Sequence, residues 1–164
     1  MKTHIISTGW IPNCYLTYQN ILPAPVVLFD NGVFIDPNSA QFLDQLGSDF
    51  IGFFAAKGFD YKRLAGAEVM SIEGMPASDY IEEIARNVPG NYLDLNIRIS
   101  SVFSSYGISG TNFFQRFGDL AGRHTVTQTS LKFSLVLVNS TTPEIVDIPF
   151  AARLIGASFT DGQS

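Results

Sequence analysis

Hydrolysis by side chains needs a nucleophile, a base within hydrogen-bond reach and a group that orients the base. The chain of 164 residues carries two histidines, His4 and His124, and neither sits in a motif. His4 stands near the N-terminus and His124 follows Arg123 at the start of a β-prone run, so both read as histidines without a chemical role. Gly107-Ile108-Ser109-Gly110-Thr111 has the first glycine and the serine of a Gly-x-Ser-x-Gly elbow, but Thr111 takes the place of the last glycine. A serine flanked by glycines is ordinary turn chemistry. Cys14, the single cysteine, has no internal disulfide partner and no histidine at zinc-ligand spacing, so it reads as a small hydrophobe. Glu82 and Glu83 are neighbours on a helical stretch and point about 100° apart, as a solvated face does and an acid–base pair does not. Phosphate-cradling, dinucleotide-binding and calcium-binding loops are all missing from the sequence. No catalytic residue, metal ligand or cofactor is therefore expected, and a hydrolase built on Ser109 or Cys14 lacks a base beside its nucleophile.

The elements that would position a site are easier to read. Pro25-Val26-Val27-Leu28-Phe29 and Val33-Phe34-Ile35 flank Asp30-Asn31-Gly32, whose residues tolerate the positive φ of a tight reversal, so a β-hairpin is expected. Past Pro37, Asn38 or Ser39 caps a helix on which Phe42, Leu43, Leu46, Phe50, Phe53 and Phe54 recur at three- and four-residue steps, with Gly58 as its end. Ala67 to Ile72 reads as a short strand and Glu73-Gly74 as a turn. Pro76 then suits the first turn of a helix over 76–86, with Ala77, Tyr80, Ile81, Ile84 and Ala85 at helical spacing. Asp79, Glu82 and Glu83 face away from that stripe, and acidic residues in the first half with Arg86 at the end agree with the helix dipole. Beyond Pro89-Gly90, Ile97, Ile99 and Val102 look strand-like, Ser104 to Gly107 looks like a loop, and Phe113, Phe114 and Phe117 suit a short helix. Thr125 to Val138 alternates Leu131, Phe133, Leu135 and Leu137 with Lys132 and Ser134, turns at Asn139 to Pro143, and returns over Glu144 to Phe150.

Composition narrows the partners. Net charge is −5 and the ten lysines and arginines are scattered from Lys2 to Arg153, so the clustered positive charge that binds a phosphate backbone is missing and nucleic acid is not expected. The apolar stretches Ile21–Phe29 and Phe50–Ala56 fall short of the roughly 20 residues that span a bilayer, so no membrane span is expected either. Hydrophobic residues make up 46% of the chain, charged residues 15%, and there are 14 phenylalanines. So few charges leave two readings open: a large core, or apolar surface covered by something outside the chain.

Gly66-Ala67-Glu68-Val69-Met70-Ser71-Ile72-Glu73-Gly74-Met75-Pro76-Ala77 resembles the second half of a PDZ-type domain: a glycine, a polar residue, a strand ending in isoleucine, a turn with glycine, then a helix. Cys14-Tyr15, Ile21-Leu22-Pro23-Ala24-Pro25-Val26, Val33-Phe34-Ile35, Ala56-Lys57-Gly58, Asn91-Tyr92-Leu93-Asp94, Phe103-Ser104-Ser105-Tyr106 and Phe159-Thr160-Asp161-Gly162 add, in that order, a likeness to the region before the catalytic core of tail-specific (C-terminal-processing) serine proteases, in their CPAF-like, fungal branch. The likeness runs from about Trp10 onward.

It implies an α+β fold: an N-terminal segment over 1–24, then a PDZ-like domain over 25–164 with an N-terminal hairpin/helix extension and a long C-terminal β-hairpin. The family cleaves peptides with a serine that lies downstream of the PDZ-like segment and a histidine in an Asp-Gly-His context upstream. Lys2-Thr3 precedes His4, so the histidine is not carried over, and the chain is expected to be inactive alone and a fragment of a longer protein. In a PDZ-like fold a peptide adds to a sheet edge beside a helix. The resemblance makes Tyr80, Ile81 and Ile84 the residues to line that groove, against the plainer reading of all three as core. The expected partner is a peptide or the absent catalytic domain. The alternatives are a free-standing peptide-binding adaptor and a hydrolase of unrecognised type.

Overall fold

The computed structural model describes residues 18–30, 32–43, 48–88, 92–122 and 128–154. It is an α+β fold of helices and antiparallel sheet. Trp10, Cys14, His4 and His124 lie outside the described residues, as do residues 155–164.

The first strand, β1 (Tyr18–Ile21), pairs with the last, β10 (Ala151–Leu154), in a separate two-stranded ribbon. The main sheet begins with the expected hairpin, β2 (Val26–Phe29) and β3 (Gly32–Ile35). Phe29 pairs with Gly32, so the chain reverses between them, and a left-handed φ of 47° falls on Asp30. The Phe34 ring lies over Gly32, and a Cβ there would sit 2.7 Å from Phe34 Cε2, so any larger residue would have to displace that ring.

The expected long phenylalanine helix is described as two pieces, α1 (Ser39–Leu43) and α2 (Ser48–Ala56), with 44–47 outside the described residues. Phe50 and Phe54 of α2 are buried edge-to-face with ring centroids 5.3 Å apart. A 3₁₀ turn (Tyr61–Leu64) leads to β4 (Glu68–Ile72). Glu73 and Gly74 both take left-handed φ, at 51° and 80°, and turn the chain into the short β5 (Met75–Pro76). Glu73 is held there by Lys132, whose amide donates to its carboxylate at 2.6 Å and whose carbonyl accepts its N–H at 2.8 Å.

The next helix, α3 (Ala77–Asn87), starts one residue later than the sequence suggests, because Pro76 is its extended N-cap, at φ −49° and ψ 141°. Ala77, Ile81 and Ala85 form its buried stripe, one every four residues. Main-sheet strands β8 (Ser130–Val136) and β9 (Glu144–Pro149) form the expected C-terminal hairpin, and the strand order is β2-β3-β4-β8-β9 with β5 beside β4. Leu131, Phe133 and Leu135 point into the core and their register partners Ile148 and Val146 extend the same face.

Three readings of the middle segment are corrected. Ile97, Ile99 and Val102 lie on a helix, α4 (Leu95–Val102), not a strand. Asp94 caps it by accepting the Ile97 N–H at 3.1 Å, and the inward positions are Leu95, Ile99 and Val102, spaced four and three apart. The expected loop at 104–107 and helix around Phe113 are instead the hairpin of β6 (Ser105–Ser109) and β7 (Asn112–Arg116), closed by Gly110 at φ 62°. A last short helix, α5 (Gly118–Ala121), returns the chain to the body, where the Ala121 carbonyl accepts the Leu22 N–H at 3.1 Å.

Candidate functional site

The chemistry-bearing side chains sit where the β6–β7 hairpin meets the β2–β3 hairpin. Asp36 follows β3 and is fully buried. Its carboxylate accepts the Tyr106 hydroxyl at 2.8 and 2.9 Å, the Gln115 Nε2 at 2.7 Å and the Asn38 backbone N–H at 2.8 Å. Gln115 also donates to the Ser104 hydroxyl at 2.9 Å, and the Asn38 side-chain amide donates to the Tyr106 oxygen at 2.7 Å. A buried carboxylate is tolerable only with such donors around it. Partial burial pushes the Tyr106 phenol above its usual 10.0, and its bond to Asp36 adds to the rise. Ser39 has a buried hydroxyl without a hydrogen-bond partner, so its side chain does not cap the helix that it begins.

Above the cluster opens a cleft of about 640 Å³, lined by Val27, Leu28 and Phe29 of β2, Phe34 of β3, Pro37, Asn38, Gly66, and Tyr106 and Phe113 of the second hairpin. The Tyr106 and Phe113 rings stack with centroids 5.4 Å apart and form one wall. Leu28 is 58% exposed and Phe29 and Phe113 are each 69% exposed, an amount of open apolar surface in one place that marks interaction sites. The volume falls within the range of about 300–1,000 Å³ typical of ligand clefts.

Of the site residues suggested by the resemblance, Ile81 is 2% exposed in the core, and Tyr80 and Ile84 are half-buried against that core. None of the three lines the cleft. Burial raises the Tyr80 phenol above 10.0, with the carboxylates of Glu73 and Glu83 adding to the rise. Ser109 lies exposed on β6 opposite Asn112, with no acid or base bonded to it among the described residues. No cluster of three metal-ligating side chains is found among the described residues. No helix among them is long and apolar enough to cross a membrane.

The cleft is what sequence reading missed. Its residues come from segments up to 86 positions apart in the chain, Val27 to Phe113, and no local period joins them. A scan against protein-family models finds no match for this chain, and neither does a search of the curated proteins.

Proposed function

We propose that this chain is a PDZ-like, peptide-binding segment of a larger serine-type processing protease of the CPAF-like branch, and that it is not catalytic by itself. The observation that carries the reading is a sheet edge beside an apolar cleft: β2 ends the strand order, and its Val27, Leu28 and Phe29 form the cleft floor. Extended peptides are held this way, by main-chain bonds to an edge and by side-chain pockets next to it. The strand–turn–helix unit of β4, β5 and α3 has the order that the resemblance implies. Ile81 belongs to the core of α3, so the ligand is assigned to the cleft at β2 and not to that helix.

The test is an NMR titration of the chain with an extended, uncharged apolar peptide. Amide shifts should move at 26–29 and 105–116. Shifts confined to α3 would place the groove on the helix, and no shifts at all would retire the peptide-binding reading. Treatment with a fluorophosphonate probe should label no serine, and stoichiometric labelling together with casein turnover would overturn the non-catalytic part.

A further inference from the structure

We infer that the cleft takes an internal, extended segment bearing aromatic or aliphatic side chains, and that it rejects a free peptide C-terminus. The inference deepens the peptide-binding reading above and rests on it.

The edge itself sets the backbone part. The Asp36 N–H donates to the Pro25 carbonyl at 2.8 Å, so Pro25 and Asp36 are a bonded position of the ladder. Such positions alternate in an antiparallel pair, which turns the main-chain groups of Val27 and Phe29 towards β3 and those of Val26 and Leu28 outward. The Ser104 N–H already takes the Val26 carbonyl at 2.7 Å. Leu28 is therefore the next outward position, and a strand laid there continues the edge where Ser104 leaves it. Side chains of that strand would drop between Phe29 and the stacked Tyr106 and Phe113 rings.

Charge decides which segment fits. Capture of a terminal carboxylate takes a cation or several converging N–H donors. Among the described residues, the cleft lining includes no lysine, arginine or histidine. The Tyr106 hydroxyl spends its proton on Asp36 and accepts from Asn38, so among the described lining residues one Asn38 amide hydrogen is the side-chain donor left over. Behind that hydroxyl stands the Asp36 carboxylate, the exposed Asp30 follows Phe29 in the chain, and Glu68 pairs across from Phe34. An incoming carboxylate would meet acidic groups and few donors. An internal segment, with its N–H groups and no terminal charge, meets acceptors.

The experiment uses the full chain and one pentapeptide, Thr-Phe-Val-Phe-Thr, dye-labelled at its N-terminus and made once as the C-terminal amide and once as the free acid. Fluorescence anisotropy at low salt should show the amide binding and the acid binding at least about tenfold more weakly, the size of one modest like-charge contact. The gap should narrow as salt screens it. Leu28→Asp and Phe113→Ser alter exposed side chains, so both should keep the far-ultraviolet dichroism of the parent while losing the amide peptide. Ile145→Asp, at a 77% exposed position on β9, should bind as the parent does. Equal or tighter binding of the acid overturns this inference and leaves the peptide-binding reading standing. Failure of both peptides to bind overturns both. Binding that survives Leu28→Asp and Phe113→Ser puts the ligand elsewhere, and a dimer that Leu28→Asp dissociates would make a second copy the occupant; either outcome overturns the inference.

Discussion

Asp36 holds the two hairpins together through one side chain. Three donors from three segments converge on it, and none of them is charged. Asp36→Ala would take from the Tyr106 hydroxyl its acceptor and leave Gln115 bonded to Ser104 alone, at about 1 kcal/mol for each hydrogen bond lost, because Tyr106 is half-exposed and keeps its bond from Asn38. The hairpin of β6 and β7 is largely exposed and has few other ties, so the loss should be local. Hydrogen exchange over 105–116 should quicken in Asp36→Ala while β4 and β8 keep the protection of the parent; uniform loss over all strands would show that Asp36 supports the whole core. The tyrosines give a second expectation. Folding raises the phenols of Tyr80 and Tyr106 above 10.0, so the unfolded chain releases those protons first as pH rises. Their contribution is complete below pH 10 and is lost as pH climbs through the folded values. The urea midpoint should fall above pH 10, and the fall should be smaller in Tyr80→Phe; an unchanged alkaline slope in that variant would contradict the burial assigned to Tyr80.

At the scale of elements, α3 and the excursion from α4 to α5 carry distinct demands. Ile81→Asp would bury an unpaired charge in the core and should prevent folding, whereas Ile84→Asp at a half-buried position should cost about 1–3 kcal/mol and leave a folded chain. Circular dichroism and urea melts separate the two outcomes. Gly118 takes a φ of 81° and lies so close to the end of α4 that a Cβ would stand 2.2 Å from the Val102 carbonyl oxygen. The left-handed backbone costs an alanine about 1–2 kcal/mol and the clash about 1–3 more. Gly118→Ala should therefore lose at least about 2 kcal/mol in a urea melt. A loss below 1 kcal/mol, on the order of an ordinary surface change, would mean that the α4–α5 contact gives way easily.

The described body, residues 18 to 154, has ends that meet and an apolar face that stays open. Tyr18 and Leu154 are register partners, so the two ends of the described body are neighbouring strand positions. A circular permutant of 18–154, with those ends joined by a short Gly/Ser linker and new termini between Ser140 and Thr141, cuts an exposed turn. It should fold with the parent's dichroism and nearly its urea midpoint; failure to fold would show that chain order at this turn matters. Leu28, Phe29, Ile108 and Phe113 are each more than half exposed near one another on the two hairpins. A hydrophobic dye should bind there, and Leu28→Asp with Phe113→Ser should remove most of its fluorescence. A dye signal that persists in the double variant would place the open surface at other exposed apolar residues, such as Leu93 or Ile145.

Much of the sheet was legible because its signals are local. Alternation from Leu131 to Leu137, the Asp30-Asn31-Gly32 reversal and the stripe of Ala77, Ile81 and Ala85 are each set by residues within one strand, turn or helix. The segment from Leu95 to Arg116 was misread because its cues conflict at short range. Ile97 and Ile99 mimic a period of two, and three phenylalanines mimic a helix face, while the Asp94 cap and the Gly110 turn decide otherwise. The chemistry was hidden for a different reason. Sequence alone established a chain poor in charge, with no local catalytic motif and with helix-and-hairpin elements able to share a core. Only the tertiary structure brings Asp36 to Tyr106 and Gln115 across 70 and 79 positions and sets Phe113 and Leu28 in one cleft. A buried acceptor and an apolar cleft are properties of surfaces that meet after the chain has closed long loops, and no spacing along the chain encodes which surfaces those will be.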